Sequence, residues 1–343
     1  MKKLLQANEF DSLLKSDHEK IFIGPVSRPG RGRFSDTPLV KYGPVSSIDE
    51  LVWDQKTYLS PKETVFPITE TLLDYTGINS VEPAKQQKKI ILFCRACDIH
   101  AISRLDNIFL KNGPEPDSYY LRRRDRVEFV LMECAAPFDS CFCVAMGTNT
   151  VEGFSAAVRK TSEGIYIDTQ SNWFISKING LGVETEFELR YPQENGIEIT
   201  VPVIEEMPES LFTHKLWDEY ASRCIACGRC NTSCPTCSCF SVHDIRFGND
   251  SENALARRER VWDGCHLDGF TDMAGGASFR KDYGSRMRFK TFHKIYDYRK
   301  RFGVHMCVGC GRCDDVCPEY ISFANCLNKL HRTVGVIKGG ADG

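Results

Sequence analysis

The residues best placed to do chemistry in this sequence lie in two cysteine runs that share one spacing. CIACGRCNTSCP and CVGCGRCDDVCP both read C-x2-C-x2-C-x3-C-P, the spacing with which bacterial ferredoxins bind 4Fe-4S clusters. Short loops of this kind turn successive thiolates toward one cubane, and glycines let the backbone approach it closely. The cysteines of the first run are Cys224, Cys227, Cys230 and Cys234, and those of the second run are Cys307, Cys310, Cys313 and Cys317.

Each run predicts one 4Fe-4S cluster, with the fourth cysteine exchanged between the runs as in two-cluster ferredoxins. We therefore expect Cys317 to complete the cluster of the first run and Cys234 to complete that of the second. Zinc is the alternative, but zinc sites usually combine two separated pairs of ligands, whereas each run here is three-plus-one and followed by proline. Electron transfer is the predicted role, and no catalytic residue is assigned in this chain.

A third 4Fe-4S cluster is a further hypothesis for the cysteines upstream. KKIILFC and VEFVLMEC read as buried parallel strands, so thiols just beyond their ends would meet in the crevice at one edge of the sheet. Cys97 and Cys134 occupy those places, and Cys141 and Cys143 follow on a loop short enough to fold back over the crevice. Cys94 could substitute for one of the four. The alternative is that all five are buried or redox-labile thiols.

The residues outside these sets receive plainer interpretations. Cys237, Cys239, Cys265 and Cys326 are expected to be ordinary buried thiols. The basic segment 280–301 predicts a helix, and its favoured interpretation is a solvated face over an apolar stripe. The alternative is that its cations offset cluster charge or steer an acidic partner. The basic run 122–126 has the same two interpretations.

The elements that must position these residues indicate two domains. Residues 1–205 predict an α/β (α+β) domain, in which parallel strands are followed by β-hairpins around the turn signals at 162–164 and 193–196. A short amphipathic helix is predicted near the N-terminus, and Asp98 is predicted to cap the helix that follows the first parallel strand. Residues 206–343 predict an α-helical, ferredoxin-like module with two clusters.

Composition and charge exclude several classes of function. The net charge of -2 provides no overall basic field for nucleic acid, and no run of about 20 apolar residues could span a bilayer. The leucines near the N-terminus are interrupted by polar residues, unlike those of a signal peptide. The 17 cysteines gather at tight spacings, which favours metal binding in a reducing compartment over disulfides. We expect a soluble cytoplasmic protein without nucleic-acid or membrane partners and without a recognised nucleotide-binding motif.

A family resemblance adds to these expectations. CRACDIHAI, MECAAPFDSCFCVAMGTNT and the two runs with RMRFKTFHKIYDYRKRFG between them resemble the iron-sulfur subunit of anaerobic sulfite reductase and, more distantly, the iron-sulfur β subunit of cytoplasmic hydrogenases called sulfhydrogenases. The resemblance covers most of the chain. It implies the electron-transfer subunit of an NADH-dependent, dissimilatory-type sulfite reductase, which relays electrons from a flavin subunit that oxidises NADH to a siroheme subunit that reduces sulfite.

Two alternatives to that role are kept. One is the β subunit of a cytoplasmic hydrogenase, and the other, from a different class, is a redox-sensing iron-sulfur binding module. In either oxidoreductase the chain acts as part of a multisubunit enzyme. A siroheme site needs cysteines of its own, and the eight best-placed cysteines are already assigned to ferredoxin clusters, so the isolated chain is not expected to reduce sulfite.

Overall fold

The computed structural model describes residues 1–32, 34–84, 87–203, 205, 207–247 and 255–339. The strands, in chain order, are β1 (Lys2–Leu5), β2 (Lys20–Arg28), β3 (Leu39–Pro44), β4 (Thr69–Thr76), β5 (Asn79–Val81), β6 (Lys89–Cys94), β7 (Val127–Met132), β8 (Ala156–Lys160), β9 (Ile165–Thr169), β10 (Val183–Glu184), β11 (Phe240–Phe247) and β12 (Leu255–Trp262).

The helices, in chain order, are α1 (Ala7–Lys15), α2 (Ala96–Lys111), α3 (Ser118–Arg124), α4 (Asn172–Ile178), α5 (Asp218–Arg223), α6 (Arg229–Thr232), α7 (Tyr283–Phe292), α8 (Tyr298–Phe302), α9 (Arg312–Asp315) and α10 (Phe323–Gly339). A π-helical turn, His293–Asp297, joins α7 to α8. Short 3-10 turns lie at Ile48–Glu50, Pro61–Thr64, Glu209–Thr213 and Lys215–Trp217. None of the described helices is both long enough and apolar enough to cross a membrane.

A mixed eight-stranded sheet forms the N-terminal part of the molecule, in the order β10-β1-β9-β8-β7-β6-β2-β3. Strands β2, β6, β7 and β8 run parallel, and the other neighbours are antiparallel. All of β6 after its first residue is buried, as expected of a parallel strand covered on both faces. The predicted strand-helix-strand unit is therefore confirmed as β6-α2-β7.

The two faces of this sheet pack against different helices because side chains alternate along each strand. Phe93 of β6 lies in one core with Phe10 and Leu13 of α1. Its neighbour Leu92 lies in the other core, which includes Ile102 of α2. The carboxyl ends of β6 and β7 consequently open beside the N-terminus of α2, which is where the upstream cysteines begin.

A second sheet joins the two halves of the chain. Its order is β11-β12-β4-β5, all antiparallel, and β12 pairs with β4. Strands from both sides of the predicted boundary at 205/206 thus share one sheet; residue 206 itself lies outside the described residues. The C-terminal module was predicted to be α-helical. It is not purely so, because it also contains the β11–β12 hairpin. Much of this hairpin is solvent-exposed on both faces, so it lacks the one-sided apolar pattern that predicts a strand.

Four local predictions have mixed outcomes. The amphipathic N-terminal helix is present as α1, and the hairpin around 162–164 is present as β8–β9. The second hairpin, predicted around 193–196, is wrong, since residues 185–203 contain neither helix nor strand. The capping role of Asp98 is also wrong, because Arg95 occupies the N-cap of α2 and the Asp98 carboxylate is held by other groups.

Candidate iron-sulfur sites

The two runs adopt one backbone shape, set by residues with positive φ at matching places. Ala226 and Gly228 of the first run have φ values of 54° and 70°, and Gly309 and Gly311 of the second run have 64° and 69°. Gly228 and Gly311 are the N-caps of the short helices α6 and α9. A Cβ on Gly311 would overlap the carbonyl oxygen of Ser140, so glycine is required there by space as well as by conformation.

A cavity gathers the thiols of the first run with one thiol of the second. Its wall includes the cysteine side chain of each predicted ligand position of the first cluster. Cys313 also reaches this wall. The four thiols of the predicted ligand set that line it are Cys224, Cys227, Cys230 and Cys317.

Electrostatic contacts link Cys234 to the second run. Burial raises the pKa of the Cys307 thiol to about 12 and that of the Cys310 thiol to about 11, and the neighbouring Cys234 adds to both effects. Cys234 acts on Cys313 in the same direction. A hydrogen bond from Cys237 lowers the pKa of Cys234 itself well below that of an ordinary thiol. The thiols at the cavity and those around Cys234 are therefore both placed as the predicted exchange of fourth cysteines requires.

Two buried lysines face these thiols. Lys290 and Lys294 are 4% and 3% exposed, and the Lys294 ammonium donates a hydrogen bond to Thr236 Oγ1 at 2.8 Å. Burial acts to lower the pKa of Lys290, but the thiols of Cys230 and Cys313, one from each run, raise it well above its usual value. Segment 280–301 is helical as predicted, yet these two cations point inward. The favoured interpretation of this segment as a solvated face does not hold for them.

The donor set fits a polynuclear iron-sulfur group. Thiol ligands must lose their protons to bind metal, and buried thiolates need cations nearby. Iron and the two lysines would supply those cations, while backbone N–H groups, such as that of Gly309 at 3.4 Å from Cys307 Sγ, would donate to the sulfur atoms. Among the residues that the structure describes, no group of three or more His, Cys, Asp or Glu side chains could hold a single metal ion.

The structure brings the four upstream thiols toward one another. Burial raises the pKa of Cys143 to about 12, and the neighbouring Cys141 and Cys134 raise it further. Cys141 also acts on Cys97 and on Cys134. Cys94 lies instead in the core beneath α2, where burial and then the Asp98 carboxylate raise its pKa. Cys97, Cys134, Cys141 and Cys143, hereafter the upstream thiols, are thus the set that lies together.

The loop that carries two upstream thiols packs directly on the second run. The N–H of Phe142 donates to the carbonyl oxygen of Gly309 at 2.7 Å, and Cys141 Sγ lies 3.5 Å from the carbonyl oxygen of Cys310. Cys97 packs against the small buried cluster that Cys310 forms with Ala101 and Val308. A Cβ on Gly309 would overlap the Phe142 carbonyl. The upstream thiols therefore neighbour the second run.

A buried ion pair fixes the same junction. Arg312, between two cysteines of the second run, donates to both carboxylate oxygens of Asp98 on α2 at 2.7 and 3.2 Å. The pair is shielded from solvent, with Arg312 2% and Asp98 0% exposed. Tyr42 donates a third hydrogen bond to this carboxylate at 3.0 Å. Arg229 has the same place in the first run and is exposed, so nothing in the sequence sets Arg312 apart from it. Sequence reasoning missed the pair for this reason.

The cysteines expected to be ordinary thiols divide into two kinds. Cys326 is fully buried in the helical core, beside Thr291, and fits that expectation. Cys237, Cys239 and Cys265, hereafter the hairpin-base thiols, gather where β11 begins and β12 ends. His266 lies next to them, with Nδ1 at 3.7 Å from Cys224 Sγ.

Comparison with known proteins supports an iron-sulfur subunit. Residues 223–321 match the family model described as 4Fe-4S dicluster domain. The chain is 28% identical over 341 residues to sulfhydrogenase 2 subunit beta of Pyrococcus furiosus, covering 92% of this chain and 97% of that protein. No solved structure gives a significant match. The findings favour the hydrogenase alternative over the sulfite reductase expected from the sequence.

Proposed function

We propose that this chain is the iron-sulfur β-type subunit of a multisubunit oxidoreductase of the sulfhydrogenase kind, and that it passes electrons between partner subunits. The observation that carries the proposal is the packing of two ferredoxin-type runs against each other and against the upstream thiols, in a chain similar over nearly its whole length to a sulfhydrogenase β subunit. A cytoplasmic location is part of the proposal, because thiol ligands persist in a reducing compartment.

The proposed ligands follow the exchange between runs. The first cluster is held at the cavity lined by the thiols of the first run and Cys317, and the second where Cys234 meets the second run. When bound, such clusters accept and release one electron at a time, at potentials set by charge, hydrogen bonds and exposure. The ligands are Cys224, Cys227, Cys230 and Cys317 for the first cluster and Cys307, Cys310, Cys313 and Cys234 for the second.

The upstream thiols are proposed to hold a third 4Fe-4S cluster. Their contact with Cys310 supports a linear order, in which the second cluster lies between the third and the first. Cys227, at the opposite end of this order, is exposed. Electrons would then enter and leave the chain at its two ends, one in the N-terminal domain and one at the first run.

Metal analysis of full-length protein, purified without oxygen, tests the ligand sets. We expect about four iron atoms and as much acid-labile sulfide for each cluster, hence at least about twelve of each per chain from these three sites. Cys317→Ser should alter the EPR signal of the first cluster, and Cys141→Ser should remove the third. Cys326→Ser is the matched control, because this thiol is buried and belongs to none of the proposed ligand sets. Zinc in place of iron would contradict all three assignments.

Co-purification tests the partners. A nickel-containing subunit supports the hydrogenase role. The sulfite reductase suggested by the family resemblance remains a second candidate, and partners with flavin and siroheme would support it. DNA, or the absence of any redox partner, would favour a redox-sensing module. Reduction of sulfite by the isolated chain would contradict the relay role itself.

A further inference from the structure

We propose that the hairpin-base thiols Cys237, Cys239 and Cys265 bind a further iron-sulfur cluster, separate from those of the two runs and of the upstream thiols.

The β11–β12 hairpin brings these thiols together. Its ladder pairs Phe240 with Trp262 at the base, and one residue beyond, the N–H of Asp263 donates to the carbonyl oxygen of Cys239 at 3.0 Å. Cys237 and Cys265 lie two residues further on, beyond the end of the ladder, where the side chain of Asn231 contacts both thiols. Thiols far apart in sequence thus meet at one end of the hairpin.

The side-chain amide of Asn231 contacts two of these thiols. Its side chain is 2% exposed, and its amide nitrogen lies 3.3 Å from Cys265 Sγ and 3.7 Å from Cys237 Sγ. Gly264 permits this approach, since a Cβ there would lie 2.8 Å from the Cβ and Cγ atoms of Asn231. A buried N–H donor shared by two sulfur atoms is the kind of contact that stabilises cluster thiolates and sets their potential.

A buried lysine lies beside these thiols. Lys62 is 2% exposed, its ammonium donates to the carbonyl oxygen of Cys237 at 2.9 Å, and it lies 3.8 Å from the centre of the Trp262 ring. In the part of the chain that the structure describes, no carboxylate pairs with Lys62. A buried charge without an opposite charge nearby is strongly unfavourable. Negative charge for this ammonium would come from Cys234, the proposed ligand of the second cluster, and from iron-bound Cys237 and Cys239.

The alternatives account for less of this arrangement. Three protonated thiols are neutral and would add no counter-charge for Lys62 to that of an iron-bound Cys234. A disulfide uses two of the three sulfur atoms and is neutral as well. A single metal ion does not suit the site, whereas a cubane spreads its thiolates around a larger group. Three protein thiolates leave one iron of a cubane without a cysteine ligand, so this iron should be lost most readily on oxidation.

Native mass spectrometry of the full chain, purified without oxygen, counts the clusters directly. In the Cys97→Ser/Cys134→Ser variant, which lacks two upstream thiols, we expect three clusters. A count of two would overturn the inference while leaving the two-cluster proposal intact, and a count below two would contradict that proposal instead. This variant leaves the hairpin base unchanged, so the count does not depend on whether substitutions there disturb folding.

Substitution at the site provides the second measurement. In the same background, Cys239→Ser and Cys265→Ser should each remove about four iron atoms per chain. Cys326→Ser, the buried-thiol control, should remove none. Mild oxidation of the protein with intact hairpin-base thiols should give a three-iron EPR signal that both variants lack. Full iron content in both variants would refute the assignment.

Discussion

The ion pair between Asp98 and Arg312 should carry a large share of the stability of the junction between the sheet and the second run. Asp98→Asn keeps the size of the side chain but leaves the guanidinium charged and buried. Removing one partner of a buried pair costs about 3–5 kcal/mol. Thr57 still accepts two hydrogen bonds from Arg312, at 3.0 and 3.1 Å, so we expect a loss near the lower limit, about 3 kcal/mol.

Urea unfolding of the cluster-loaded protein, followed by circular dichroism without oxygen, measures this loss. With a denaturant slope of about 3 kcal/mol per M, the midpoint should fall by about 1 M. Asp244→Asn is the control, because it breaks an exposed pair with Arg258 and should leave the midpoint unchanged.

A double-mutant cycle tests the cause. Arg312→Met in the Asp98→Asn background removes the stranded charge, so the double variant should be more stable than the sum of the two single effects predicts. Additive effects, or a midpoint for Asp98→Asn equal to that of the wild type, would refute the reasoning.

Three further predictions concern charge, protonation and space. Lys290→Met should lower the reduction potentials of both run clusters by about 100 mV in an EPR-monitored redox titration. The estimate follows because a charge at roughly 7 Å, with an effective dielectric constant of about 20, contributes about 2 kcal/mol. Lys300→Met, at the surface, should change neither potential. Burial lowers the pKa of His293 to about 4. The folded state therefore binds fewer protons than the unfolded state between pH 6.5 and 4, and stability falls by about 1.5 kcal/mol from pH 6.5 to 5. His293→Phe should flatten this decline in the urea midpoint, and an unchanged decline would contradict the assignment. Gly309→Ala should lower the melting temperature more than Gly303→Ala. Both glycines have positive φ, but of the two only Gly309 has no room for a Cβ. Equal shifts would show that the close approach of Gly309 to the Phe142 carbonyl is unimportant.

The features that the sequence predicted are local ones. The spacing of each run is fixed within a dozen residues, and the backbone shape it implies recurs at Gly228 and Gly311. The β6-α2-β7 unit was also readable, because a short buried strand followed by an apolar helical period needs no information from elsewhere in the chain.

The features that the sequence could not predict depend on distant partners. Arg229 and Arg312 occupy the same place in the two runs, yet only Arg312 meets a carboxylate, which comes from α2. Lys290 and Lys294 belong to a segment so rich in cations that a solvated face was the simpler interpretation, and only the packing of the helix against both runs turns them inward. Pairing of β12 with β4 likewise has no local signal.

The sheet that joins the two halves of the chain also has a consequence for folding during synthesis. β4 and β5 leave the ribosome long before β12, so the edge of β4 that will bind β12 has no partner while the middle of the chain is being made. Contacts between such distant segments form slowly, and an unpaired strand edge invites association with other chains. Cysteines of the first run are synthesised during this interval. A chain that stops before β12 would still contain every strand of the eight-stranded sheet, but its β4 would keep an unpaired edge.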